Sequence, residues 1–253
     1  MKSSKQNAVA RVEEAVERAE PIPSFAPESE TALPPKEGGR AELVFILDAS
    51  GSMNHLTDDT VGGFNSMIEK NREEPGEATV TTVLFNQKAR IIHDRLDIRQ
   101  VPALTRKEYR CGGCTALLDA VGDAIERIDL VQSVQPAGYK ADKVLFAITT
   151  DGLENASRRF DYWRVKRLIE RHREMSWEFL FVGANIDAAA EAENLGIAPE
   201  CAAEYVPDGS GTGVLYAAMC DAVAGARRGE RIARGAWRAD LEEDVRKRGK
   251  GAK

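Results

Sequence analysis

Asp48, Ser50 and Ser52 stand two residues apart in the run Ala41–Met53, AELVFILDASGSM. A carboxylate and two hydroxyls at that spacing offer three hard oxygen donors, a set that suits Mg²⁺ or Mn²⁺ rather than Zn²⁺. Two later stretches share the same grammar, Gly112-Gly113-Cys114-Thr115 and Thr149-Thr150-Asp151-Gly152. Each ends a buried segment or a glycine-rich loop in hydroxyls or a carboxylate. If the strands before Asp48 and Asp151 are neighbours, both carboxylates fall within one metal-sized site.

The elements that must position these groups are legible as hydrophobic runs. Leu43–Leu47, LVFIL, is too short for a helix core and rich in branched and aromatic residues, as a strand buried on both faces should be. Thr79–Phe85, Lys143–Thr150, Trp177–Val182 and Cys201–Val206 read as further strands. Asn86-Gln87-Lys88 makes a tight turn into Ala89–Ile98, which is expected as an antiparallel neighbour. Between the strands lie helical patterns: one carrying Phe64, Met67 and Ile68, one carrying Leu117, Leu118, Val121, Ile125 and Ile128, then Phe160–Met175, a helix capped by Asp187 and ending at Gly196, and Gly211–Arg227. Asp58 or Asp59 is a candidate cap for the first, and Gly62-Gly63 within it implies close packing against the sheet. Strands alternating with helices predict an α/β fold: a doubly wound, mostly parallel central sheet with one antiparallel edge strand, flanked by helices. Open sheets of that kind bind ligands at the carboxyl ends of their central strands, where Asp48 and Asp151 lie.

Composition narrows the function classes. The 253 residues fit one medium-sized domain with tails, and a net charge of −6 argues against a general nucleic-acid binder. The charge is uneven. Residues 227–253 hold ten basic residues against five acidic ones, which leaves the middle of the chain acidic. No apolar stretch approaches the ~20 residues of a membrane span. The first twenty residues lack the apolar core of a secretory signal, so a cytoplasmic protein is expected, with neither nucleic acid nor membrane as partner. Four cysteines in a chain this long do not suggest a disulfide framework. Residues 1–39 read as a flexible tail, with Val9, Val12 and Val16 on a short amphipathic stretch, followed by an acidic linker containing Pro21, Pro23, Pro27, Pro34 and Pro35. The folded domain is expected over 40–226 and a charged C-terminal tail over 227–253, with Trp237 as its one docking candidate.

The DASGS run, Thr115 within GGCTALLDA and Asp151 within TTDG together resemble the three motifs of a von Willebrand factor type A (vWA) domain. The resemblance extends over 40–226 and is greatest to cytoplasmic bacterial members, whose segments DDTVGGFNSMI, TTVLFN, ITTDGLENAS and FLFVGANIDA resemble. It implies a metal-ion-dependent adhesion site in which Ser50, Ser52 and Thr115 ligate Mg²⁺ directly, and Asp48 and Asp151 hold it through water. It also implies a binding module rather than an enzyme. Neutral hydroxyl ligands leave the cation's charge partly uncompensated, so an Asp or Glu of a protein partner can complete the shell. Acidic surroundings would repel that carboxylate when no cation is present. Asp59, Asn65, Glu154 and Asn155 are candidate partner-contacting residues on the rim.

Two other chemistries compete for the same residues. A strand-end Asp with a later TTDG also resembles haloacid-dehalogenase-type phosphohydrolases, which need a second Asp two residues on as acid/base; here Ser50 occupies that place. A dinucleotide-binding reading lacks GxGxxG after the first strand. Cys111-Gly-Gly-Cys114 invites a zinc or redox site, but no second CxxC or His pair accompanies it, and the simpler reading is a small-residue loop that delivers Thr115.

Overall fold

A computed structural model describes residues 39–232 and 236–248. The amphipathic stretch around Val9–Val16 and the proline-rich linker lie outside the described residues. Six strands form one sheet: β1 (Arg40–Asp48), β2 (Glu77–Phe85), β3 (Ala89–Asp97), β4 (Lys143–Thr150), β5 (Glu178–Gly183) and β6 (Ala202–Glu204). Their spatial order is β3-β2-β1-β4-β5-β6. All neighbours run parallel except the β2–β3 hairpin, which is antiparallel and turns at Asn86–Lys88 as its sequence implies. The mostly parallel sheet with one antiparallel edge strand is the architecture expected from the alternating pattern.

The helices are α1 (Thr57–Arg72), α2 (Leu117–Val134), α3 (Tyr162–Glu174), α4 (Ala188–Leu195), α5 (Gly209–Arg227) and α6 (Ala239–Arg248). They cover the sheet on both sides. Successive side chains of a strand point to opposite faces, so β1 divides its apolar run between two cores. Leu43, Phe45 and Leu47 join Phe64 and Met67 of α1, Leu215 and Met219 of α5, and Leu241 of α6. Val44 and Ile46 join Leu117, Val121 and Ile125 of α2, Val165 and Ile169 of α3, and Leu195 of α4. A central strand buried on both faces cannot slip by one residue without exchanging the contents of the two cores, which pins Asp48 at its carboxyl end.

The structure differs from the sequence reading at two helix boundaries. A short 3-10 turn, Gly51–Leu56, precedes α1, and α1 begins at Thr57 with Leu56 at the N-cap and no side-chain cap. Asp58 and Asp59 therefore lie inside the first turn, where their charge still favours the positive helix end. The charged C-terminal stretch is also not a plain tail. Ile232, Trp237 and Leu241 are buried in the core shared by α1 and α5.

Candidate functional site

Neighbouring strands β1 and β4 deliver the two carboxylates. Their register places Leu47 opposite Thr149, so Asp48 and Thr150 leave the sheet level with each other. Asp48 is 1% exposed, and its Oδ1 accepts the backbone N–H of Ser50 at 2.7 Å. Its Oδ2 accepts the Thr150 hydroxyl at 2.8 Å and the Asp151 N–H at 3.3 Å. Both oxygens of Asp48 thus hold the first and third loops in place. The Ser50 hydroxyl, turned the other way, lies 3.0 Å from that of Ser52.

Backbone hydrogen bonds fasten the middle loop to its two neighbours. Gly51 N–H donates to the Gly113 carbonyl at 3.1 Å and Gly112 N–H to that of Ala49 at 2.9 Å. Gly113 sits at φ +77°, a left-handed conformation that favours glycine, and a Cβ there would also push aside the exposed Gln87 side chain. Thr115 is buried and clamped on both sides of its peptide: its N–H donates to Asn155 Oδ1 at 2.9 Å, and its carbonyl accepts the Asn155 N–H at 3.0 Å. The next N–H, that of Ala116, reaches the Asn86 carbonyl at 2.8 Å.

Asp151 is the exception among these satisfied groups. It is 3% exposed, and neither carboxylate oxygen has a hydrogen-bond partner among the described residues. Burial raises its pKa above the ordinary value; the nearby Ser52 hydroxyl offsets part of the rise and the Asp48 charge adds to it. Buried polar atoms are nearly always paired, so an orphaned carboxylate beside a second one calls for a missing positive partner. Ser50, Ser52, Thr115 and the two aspartates fit a hard divalent cation in donor type. Among the described residues no group of three or more His, Cys, Asp or Glu is placed to hold a metal, as a thiolate or imidazole zinc site would require.

Solved structures share the fold that carries this framework. Proximal thread matrix protein 1 from the mussel byssus superposes at a TM-score of 0.52, with 15% identity, covering 74% of this chain and 46% of its own. A von Willebrand factor type A protein from Catenulispora acidiphila gives 0.50 at 15% identity, covering 74% of this chain and 43% of its own. Manganese-loaded TRAP protein of Plasmodium vivax gives 0.50 at 18% identity, covering 70% and 72%. The fold is that of a vWA domain. The match spans less than half the length of the mussel and Catenulispora chains. No protein-family model and no curated protein matches the chain. One solved form of the mussel protein has a zinc-occupied MIDAS motif.

Around the five candidate ligands, the chain uses three of the four proposed rim residues to hold its own backbone. Asn65 exchanges two hydrogen bonds with the Leu104 backbone, at 2.9 and 2.8 Å. Glu154 accepts the N–H groups of Leu118, Ala156 and Ser157, so it caps the start of α2 and closes its own loop. Asn155 holds Thr115. Asp59 is exposed beside Gly209 at the start of α5. Polar residues in a loop look alike in sequence whether they face a partner or a neighbouring N–H, which explains the difference.

Two residues that sequence pattern did not single out also shape the candidate site. Tyr109, buried in an otherwise polar loop, donates its hydroxyl to the Asp48 carbonyl. The His55 ring lies between the Ser52 carbonyl, 2.8 Å from Nδ1, and the Pro207 carbonyl, 3.1 Å from Nε2. Cys111 and Cys114 are free thiols that turn to different neighbours, Thr57 Oγ1 at 3.5 Å and Gln87 Nε2 at 3.9 Å. Burial pushes the Cys111 thiol up, away from a reactive thiolate. The surroundings are also less uniformly acidic than the sequence suggests, because Arg106, Lys107 and Arg110 stand exposed on the loop that Tyr109 anchors.

Proposed function

We propose that this chain is a divalent-cation-dependent protein-binding module, in which Ser50, Ser52 and Thr115 ligate Mg²⁺ or Mn²⁺ and Asp48 and Asp151 support it. The observation that carries the reading is Asp151, a buried carboxylate whose oxygens have no well-formed hydrogen bond among the described residues beyond the nearby Ser52 hydroxyl, facing a hydroxyl set held by three interlocked loops. The manganese and zinc carried by the Plasmodium and mussel proteins are further support from structures of the same fold. A bound cation would supply the positive charge that a partner's Asp or Glu docks against, because hydroxyl ligands donate no charge of their own. Asp48 orients the Ser50 and Asp151 backbones, and Asn155 fixes Thr115.

The module is read as non-catalytic. Both Asp48 oxygens are engaged, and the buried carboxylate is poorly placed to attack a phosphorus atom. Ser50 stands where a phosphohydrolase needs its acid/base.

Titration calorimetry with Mg²⁺ and Mn²⁺ tests the reading. One site per chain is expected, lost in Thr115→Ala with the fold retained, and saturating metal should raise the melting temperature by mass action. Equal binding by the wild type and Thr115→Ala, or none by either, would overturn it.

A further inference from the structure

We propose that the ligand of this module is an acidic peptide segment with at least two anions, one carboxylate going to the cation and another to a basic cleft at Arg106 and Arg110. The inference rests on the metal-dependent reading above and specifies its ligand. The cleft, of about 410 Å³, is walled by Asn54, His55, Asp58, Arg106, Tyr109 and Arg110 among others, two fixed cations against one carboxylate. It shares a wall with the metal loop. Asn54 and His55 lie two and three residues after Ser52, the His55 ring contacts the Ser52 carbonyl, and the Tyr109 hydroxyl ties the opposite wall to the Asp48 carbonyl. An anion in this cleft therefore lies beside the cation site on an anchored loop.

Charge is what distinguishes the cleft. The chain carries a net charge of −6, yet the loop Thr105–Arg110, TRKEYR, holds three cations and one anion. That anion, Glu108, is turned back on its own loop, where Oε2 accepts the N–H and hydroxyl of Thr105 at 3.0 and 2.8 Å. Arg106 pairs with Asp58, but both side chains are exposed, and such pairs hold too weakly to resist exchange with a partner's anion. Lys107 and Arg110 have no carboxylate partner among the described residues, and the Arg110 Nε donates only to the Lys107 carbonyl at 2.9 Å. A locally positive surface on an acidic protein, contiguous with a cation site, complements a run of negative charge. A peptide fits better than a single-stranded nucleic acid. Strand binding relies on exposed aromatic platforms for the bases; the one Tyr, Phe or Trp lining the cleft, Tyr109, is buried, and the His55 ring is engaged at both nitrogens by backbone carbonyls.

The test uses the full chain saturated with Mg²⁺ or Mn²⁺ and two Gly/Ser peptides of equal length. One contains a single Asp and the other that Asp followed by three more acidic residues; both are titrated by fluorescence anisotropy. The polyacidic peptide should bind at least about tenfold more tightly, with an advantage that shrinks as salt is raised. Arg110→Glu combined with Lys107→Glu should erase that advantage while the metal isotherm and melting temperature stay at wild-type values. Equal affinity for the two peptides, a preference that survives charge reversal, or no binding of the polyacidic peptide by the metal-loaded protein overturns the inference. So does an oligothymidine that competes as strongly as the polyacidic peptide. Failure of the metal titration itself instead removes the reading beneath it, so the two failures are distinguishable.

Discussion

Asp48 and Asp151 occupy one pocket with opposite surroundings, and their different roles follow from that. Asp48 accepts from three donors; Asp151 has no well-formed hydrogen bond among the described residues, only the Ser52 hydroxyl nearby, and adds a second negative charge next to it. Without a cation this arrangement destabilises the domain. Asp151→Asn should therefore stabilise the metal-free protein by about 1 kcal/mol, a rise of about 2–4 °C in Tm for a domain of this size, and abolish the rise produced by metal. Thermal melts with and without Mn²⁺ check both halves, and a lower metal-free Tm in the variant contradicts the argument. Glu42, at the opposite end of β1, is a second buried carboxylate. Its Oε2 accepts from Arg95 Nε at 2.8 Å and Gln132 Nε2 at 3.2 Å, while Oε1 is buried without a partner. Burial raises its pKa and the Arg95 guanidinium only partly opposes this. The folded protein then holds this proton to higher pH than the unfolded chain does. Glu42's contribution is most favourable below the ordinary value of 4.5 and declines as pH rises through the folded pKa. Glu42→Gln should flatten that decline, seen as a smaller fall in urea midpoint than wild type from about pH 4 to about pH 8. Parallel profiles would assign the pH dependence to other groups.

Between elements, the most exacting contact is where α1 crosses α5. A Cβ on Gly63 would meet the Tyr216 ring at 2.3 Å, and Tyr216 is itself buried with no room to retreat. Gly62, one residue earlier, has nothing within 4 Å. Gly63→Ala should thus cost about 1–3 kcal/mol through overpacking, whereas Gly62→Ala should be neutral or stabilise by up to ~1 kcal/mol through helix propensity. Denaturant midpoints of the two variants separate the effects, and equal shifts would refute the packing explanation. The sequence identifies both glycines as unusual in a helix, but it implies packing on the sheet, whereas the contact is with another helix. That pattern recurs. Runs such as LVFIL and KVLFAITT announce buried strands because burial on both faces leaves only apolar residues. Asp187 and Gly196 bound α4 as read, since a cap and a left-handed stop are local devices. The 3-10 turn before α1 is not legible, because the loop winds to present Ser52 and tertiary ties through Gly113 override the capping preference of Asp58. The pairing of α2 with α3 is equally silent: Asp123 and Glu126 meet Arg159 and Arg164, partners 36 and 38 residues away.

At the scale of the whole molecule, the five candidate ligands were readable because each sits at the end of a recognisable element. Tyr109, which anchors the basic loop to Asp48, was not, since a lone aromatic residue in a polar loop carries no period. The C-terminal stretch was obscured for a similar reason: ten basic and five acidic residues hide the apolar Ile232, Trp237 and Leu241. All three are buried against the α1 and α5 side of the sheet. Arg227, the last residue of α5, donates to the carbonyls of Asn71, Glu74, Pro75 and Gly76, closing the turn that leads from α1 into β2. A domain ending at Ala226 would lose this staple and leave an apolar groove open along the core. Each buried apolar side chain of this size stabilises by about 1.5–3 kcal/mol, so the three together approach the whole net stability of a typical domain, about 5–15 kcal/mol. A chain ended at Arg248 should keep the wild-type denaturant midpoint. A chain ended at Ala226 should lose several kcal/mol or fail to fold, and Leu241→Ala in the full chain should cost about 2–5 kcal/mol. Because β1, β4 and the metal loops are cut from neither, a folded chain ending at Ala226 with wild-type stability would show that the last helix is an appendage, and that the domain closes its core without it.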